Sequence, residues 1–116
     1  MLYENKVYVV FQGHVHNYER DGSIYKNVSH VSSEDSFNRH VNPTAPIYIL
    51  TGNAGNKFGH NDPISSTFAD WTRFMSIEYG VGELFVYNST HMYFQQYRSD
   101  TEEIIDHVSI IKDPVT

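Results

Sequence analysis

Short apolar runs separated by polar stretches dominate the chain, and most of these runs read as strands. Val7-Tyr8-Val9-Val10-Phe11 is a continuous run of β-branched and aromatic residues and predicts a buried strand over residues 7–12. Ala45-Pro46 opens a second, Ile47-Tyr48-Ile49-Leu50-Thr51. Three more are predicted at the end, over residues 82–87, 91–97 and 104–112, with Asn88-Ser89-Thr90 and the charged stretch 98–103 as turns. Alternation in the middle one puts Met92, Phe94 and Gln96 on one face and Tyr93, Gln95 and Tyr97 on the other. In the last, Ile104, Asp106, Val108 and Ile110 alternate against Ile105, His107, Ser109 and Ile111.

The remaining stretches read differently. One helix is predicted within residues 65–79, capped by Thr67 with Asp70 three residues on. Phe68, Trp71 and Met75 fall on one of its faces, with Trp71 as a packing anchor. Asp21-Gly22 signals a turn, after which Ser23-Ile24-Tyr25 returns as a short strand. Residues 27–45 are rich in Ser, Asn, Asp and His and read as a surface loop in which His30 and His40 are solvated. The expected fold class is α+β, strand-rich, with residues 1–116 belonging to one domain.

Composition narrows the function. The net charge is −6 and the eight Lys and Arg are scattered, which argues against nucleic-acid or anionic-membrane partners. No apolar run reaches the roughly 20 residues of a membrane span. Met1-Leu2-Tyr3-Glu4-Asn5-Lys6 lacks the basic start and long apolar segment of a signal peptide. There is no cysteine, hence no disulfide to report on redox compartment. Two N-x-[S/T] sequons, Asn27-Val28-Ser29 and Asn88-Ser89-Thr90, are compatible with secretion and make Asn27 and Asn88 glycosylation candidates.

The chemistry concentrates after the first strand, in Gly13-His14-Val15-His16-Asn17-Tyr18-Glu19-Arg20. In extended backbone residues i and i+2 point to the same side, so both imidazoles can face one site. That site lies at the carboxyl end of a buried strand, where open α/β sheets bind ligands, and neutral imidazole is the commonest protein metal ligand. The loop from Gly52 to Gly59 lacks G-K-[S/T] at P-loop spacing and reads as a tight turn. His60-Asn61-Asp62-Pro63 is assigned no ligand role.

The eight-residue string resembles the last metal motif, G-H-x-H-x-Y-E-R, of the purple acid phosphatases, enzymes of the calcineurin-like metallophosphoesterase fold. Other segments agree. Ala45 to Gly52 with Asn53-Ala54-Gly55-Asn56 is similar to the family's a-p-v-y-i-x-x-G-x-x-G segment, with Asn53 and Asn56 where some relatives carry Asp or Cys. Trp71-Thr72-Arg73-Phe74 and Tyr79-Gly80 resemble W-S-x-x-R and Y-G, and the last strands resemble the ending with N-x-T-H and D-x-V-x-I.

The resemblance implies the C-terminal portion of a two-sheet αββα sandwich ending in an antiparallel β-meander. It also implies a di-metal acid phosphatase that hydrolyses phosphomonoesters with metal-bound hydroxide, using iron plus a divalent metal (zinc, manganese or iron). Carried over, His14 ligates the divalent metal and His16 the iron. Tyr18, Glu19 and Arg20 hold the loop from outside the ligand set, or Glu19 and Arg20 form a surface ion pair. The implied location is secreted, lysosomal or vacuolar. The family's D-x-G, G-D-x-x-Y, G-N-H-[E/D] and V-x-x-H motifs are absent from these 116 residues, so the expectation is an incomplete catalytic domain, a fragment whose phosphatase activity belongs to a longer parent. Two alternatives stay open: a non-catalytic truncated module, and a simple metal-binding β-protein using His14 and His16.

Overall fold

A computed structural model describes residues 1–57, 59 and 69–114. Among them are nine strands and no helix: β1 (Val9–Gln12), β2 (Tyr18–Tyr25), β3 (Val28–Ser29), β4 (Arg39–Val41), β5 (Ile47–Thr51), β6 (Thr72–Ser76), β7 (Gly80–Val86), β8 (His91–Arg98) and β9 (Ile104–Ile111). They form two mixed sheets. The first runs β1-β5-β2-β3, with β6 also paired to β2, and the second runs β4-β9-β8-β7. In the first, β1 is parallel to β5 while β2 is antiparallel to β5 and β6. In the second, β7, β8 and β9 pair antiparallel in succession, and β4 lies parallel to β9.

One apolar core joins the sheets. Tyr18, Ile47 and Ile49 of the first are buried with Phe94, Val108 and Ile110 of the second. Phe94 touches two rings of the other sheet, with centroids 5.4 Å from Phe11 and 6.4 Å from Tyr18. The alternations expected of β8 and β9 are observed except at the start of β9: Phe94, Gln96, Asp106, Val108 and Ile110 are buried, while Ile104, beside the register shift at Gln96/Tyr97, is exposed.

Three expectations are corrected. The first concerns the helix. Thr67 and Phe68 lie outside the described residues, but Thr72–Ser76 is a strand, with Glu19 opposite Met75 and Arg20 opposite Phe74. A helix there would leave the backbone groups along that edge of β2 unpaired, and an exposed edge outweighs a three-residue helical pattern. Phe74 instead packs on the core, its ring 6.0 Å from Tyr18. The fold of the described residues is therefore strand-rich without the α component.

Second, Asp21-Gly22 is no hairpin turn. β2 runs straight through it, and its register slips against both neighbours there, as at a β-bulge. Gly22 donates its N–H to the Trp71 carbonyl at 2.7 Å, and a Cβ on it would lie 3.0 Å from the Arg73 guanidinium. The chain reverses at Lys26-Asn27, whose φ values are 49° and 61°. Tyr25 pairs with Val28 across this two-residue turn, and left-handed φ at both positions is the hairpin geometry that matches strand twist.

Third, residues 27–45 are not wholly surface loop. They contain β3 and β4, and His40 on β4 is 1% exposed. The register of β4 on β9 sets His40 opposite Ile110, on the face that looks into the core.

Candidate functional site

β1 and β5 are parallel, so their carboxyl ends lie side by side and the loops that follow them meet. The first loop carries His14 and His16; the second begins at Gly52. Residues 14–17 are bent rather than extended, and His14 takes a left-handed φ of 78°. The period-two argument for a common side therefore does not apply here, and the bend itself sets the two imidazoles. His14 is exposed, His16 half-buried and Asn17 buried. Asn17 donates its N–H back to the Val15 carbonyl at 3.0 Å, closing a tight turn about His16.

Gly52 holds this turn in place. Its N–H donates to the Asn17 carbonyl at 3.0 Å, and a Cβ on Gly52 would fall on the Val15 carbonyl, 3.0 Å from its carbon. Only glycine lets the two backbones approach so closely. Four residues on, Asn56 Nδ2 stands 3.1 Å from His16 Nε2. Asn53 anchors the second loop to the other sheet. It is buried, donates from Nδ2 to the Glu78 carbonyl at 2.7 Å and accepts from Gln96 Nε2 at 3.0 Å. Gln96 Oε1 in turn accepts from the Thr51 hydroxyl at 3.3 Å.

On its other side the histidine loop runs into a buried ionic cluster. Tyr18 and Arg20 alternate onto the inward face of β2, both fully buried. Arg20 grips Asp106 of β9 with two donors, Nε to Oδ2 at 2.7 Å and Nη2 to Oδ1 at 3.0 Å. The Tyr18 hydroxyl donates to the same Oδ2 at 2.7 Å. The remaining guanidinium nitrogen donates to the Phe37 carbonyl at 2.9 Å, with the Phe37 ring 5.1 Å from Cζ. Burial, then the Asp106 charge, push the Tyr18 phenol far above its usual pKa, so it stays a donor.

Glu19 takes the opposite face. It accepts from the Thr72 hydroxyl at 3.3 Å, so the surface pair of Glu19 with Arg20 gives way to Arg20 with Asp106. Asp21 lies next to Glu19, and its pKa is pushed up to about 8 by burial and then by that second carboxyl.

His40, expected in solvent, is buried with Nδ1 3.4 Å from Asp35 Oδ2, without the geometry of a hydrogen bond. Burial lowers its pKa against the opposing pull of Asp35. Asp35 is itself turned to the backbone, accepting from Val41 N–H at 2.9 Å and Ser32 N–H at 3.1 Å. Asn27 and Asn88 occupy separate exposed turns, β2–β3 and β7–β8.

Sequence reasoning missed Asp106, Gly52 and Asn53. Asp106 left a signal: it is the one charged position on an otherwise apolar register of β9, and such a residue is rarely buried without a partner. Two imidazoles on one braced loop suit a metal centre in kind. In number they fall short: among the described residues no group of three or more His, Cys, Asp or Glu is placed to hold an ion. His60 and Asp62 lie outside the described residues.

Comparison with known proteins agrees along the whole chain. Residues 45–107 match the family model described as iron/zinc purple acid phosphatase-like protein C. Acid phosphatase type 7 of Danio rerio is 35% identical over 97% of this chain and 25% of its own length. Phosphoenolpyruvate phosphatase of Allium cepa is 38% identical over 82% of the chain and 20% of its own length. The structure of purple acid phosphatase PPD1 from yellow lupin (Lupinus luteus) seeds superposes with a TM-score of 0.81 at 25% identity, covering 97% of this chain and 19% of that one. The chain thus spans about a quarter or less of the length of these relatives.

Proposed function

The chain belongs to the purple acid phosphatases as the C-terminal part of such an enzyme, and we propose that its task there is to bring two histidine ligands to a di-metal phosphate site. The observation that carries the reading is the braced loop: the G-H-x-H-x-Y-E-R string, locked by Gly52 on one side and by the Tyr18–Arg20–Asp106 cluster on the other. In this reading His14 takes the divalent metal and His16 the iron. Such a centre clamps a phosphate between two cations and acidifies an attacking water. Tyr18 and Arg20 act on the loop through the strand that leaves it, as residues supporting ligands commonly do.

Residues 1–116 then form part of one catalytic domain, a two-sheet αββα sandwich that ends in a meander, with the remaining ligands supplied by chain outside this sequence. The unpaired edge of β1 among the described residues, with Phe11 and Val15 both 40% exposed, supports an arrangement in which more protein packs there. The substrate proposed for the parent is a phosphomonoester, hydrolysed at acidic pH in a secreted, lysosomal or vacuolar setting, with glycosylation at the sequons. No helix among the described residues is long and apolar enough to cross a membrane.

The test is the message upstream of the Met1 codon. In-frame D-x-G, G-D-x-x-Y, G-N-H-[E/D] and V-x-x-H motifs, with His14→Ala and His16→Ala each costing that longer chain its metal and its phosphatase activity, are the expected result. A message that begins at Met1 with no activity in the product overturns catalysis, and the non-catalytic module is then the better reading.

A further inference from the structure

The second sheet ends at β7, which among the described residues pairs with β8 alone. The pairing runs unbroken from Gly80 opposite Arg98 to Val86 opposite Met92, with no slip of register. An unpaired strand edge is a template for another strand, and natural edges are commonly blunted by a lysine, a proline or a bulge. β7 has none of these. Its single charged residue is Glu83, whose carboxylate accepts from Gln95 Nε2 of its own sheet at 3.2 Å.

Hydrogen bonding alternates along an antiparallel ladder, so successive residues of β7 turn their backbone groups to opposite sides. The ends of the strand fix which. Tyr87 donates its N–H to the His91 carbonyl at 3.0 Å and Tyr79 accepts from Ser99 N–H at 2.9 Å, so the odd-numbered residues face β8. Gly80 donates the other way, to the Asn53 carbonyl at 3.0 Å. Gly82, Leu84 and Val86 therefore turn their N–H and C=O groups to the open side. Their side-chain positions lie on the core face, opposite Gln96, Phe94 and Met92, while Val81, Glu83 and Phe85 lie on the outer face.

We propose that the β7 edge is a docking surface for a second copy of this chain, paired antiparallel about a two-fold axis at Leu84, so that the second sheets of two copies join into one. Such self-complementary pairing about a two-fold axis is the commonest closed symmetry of homo-oligomers. This register uses all three outward residues: Leu84 meets itself, and Gly82 and Val86 meet each other. On the core side Val86, 69% exposed, passes over Gly82, which is bare because a Cβ there would lie 2.5 Å from the Phe94 ring. On the outer side Val81 and Tyr87, both exposed, cover each other across the join. Charge selects the same register. Glu83 faces Phe85 of the second copy, whereas an axis centred on Glu83 sets two carboxylates directly opposite, which is unfavourable. An axis on Gly82 would need Gly80, already bonded to Asn53. A join this short buries less than the roughly 1,600 Å² of a standard interface, so the dimer is weak and concentration-dependent.

The test is sedimentation of the chain as its message encodes it, across a range of concentrations, with two variants that report the register. Leu84→Cys places two thiols across the axis, where Cα atoms of a hydrogen-bonded pair stand about 5.5 Å apart, within disulfide reach. Phe85→Cys places them on a diagonal of about 7–8 Å, beyond it. These 116 residues contain no cysteine, and any in a longer chain is common to both variants. We expect reversible dimers, a disulfide-linked dimer from Leu84→Cys and not from Phe85→Cys, and association at least about tenfold weaker in Leu84→Lys, which opposes two ammonium groups. Leu84 is 43% exposed, and a lysine there keeps its stem on the sheet with its charge in water, so the fold survives as read by circular dichroism. A chain that stays monomeric overturns the proposal, and slow hydrogen exchange at the Leu84 amide in that monomer would assign the edge to another segment of the same chain. A dimer that Leu84→Lys leaves intact, or that both thiols link equally, overturns it as well.

Discussion

Replacing Asp106 by asparagine removes one charge from the buried cluster and almost no volume. In the native chain, Arg20 is fully buried and its guanidinium is neutralised by two hydrogen bonds from Nε and Nη2 to Asp106, at 2.7 and 3.0 Å. Asparagine can accept at only one of these positions and turns an amide N–H₂ toward the other donor. The Phe37 carbonyl remains as a neutral acceptor. Breaking one partner of a buried ion pair costs about 3–5 kcal/mol, because the surviving charge is left uncompensated. Against a typical total stability of ~5–15 kcal/mol, that is about a fifth or more of what holds the domain folded. The assays are urea unfolding for the free energy and thermal unfolding for the midpoint, both followed by near-ultraviolet circular dichroism, with the thermal midpoint expected to fall by roughly 10–20 °C. Two controls bear on the cause. Tyr18→Phe removes one hydrogen bond and leaves the ion pair, so its cost is about 1 kcal/mol. The double variant Arg20→Met, Asp106→Leu removes both charges and should be more stable than either single variant, since apolar replacement of a whole buried pair is often near neutral. An Asp106→Asn cost below about 1 kcal/mol, or strict additivity in the double variant, would refute the reasoning.

Gly52→Ala forces a methyl group onto the Val15 carbonyl and is expected to cost about 1–3 kcal/mol; shifted His14 and His16 imidazole resonances, with no change at His107, would locate the damage in the histidine loop. Asp21 has a folded pKa of about 8 against 3.8 unfolded, so the folded chain binds the extra proton and stability is lost as pH rises between those values. Asp21→Asn should therefore raise the melting point at pH 8 and leave it nearly unchanged at pH 4; equal shifts at both would contradict the assignment. His40 works in the opposite sense: burial holds its folded pKa below the unfolded ~6.5, against Asp35 and with Arg20 and Arg73 nearby, so its contribution is present above that pH and lost below it. Replacing it, as in His40→Gln, should flatten the fall in melting point between pH 7 and 5, and an unchanged slope would place the titrating group elsewhere.

Periodicity alone located β5, β8 and β9 and chose the inward faces of the last two, because alternation over seven or eight residues leaves one apolar face to bury. The order of residues around His14 and His16 was enough to name the family, since that signal is a string and needs no contact. What the string could not reveal was its support. Tyr18 and Arg20 find Asp106 at separations of 88 and 86 residues, and Gly52 meets Val15 only because β1 and β5 run parallel and end together. Local signals failed where a neighbour outbid them. Thr72–Ser76 became a strand because β2 offered an open edge, Asp21-Gly22 became a bulge because β2 was paired on both sides, and His40 was drawn inward by the register of β4 on β9. Propensity and periodicity are properties of a segment and could be read from the chain; edge pairing, close backbone approach and the burial of charge are properties of two segments at once, and only the tertiary structure decides which two meet.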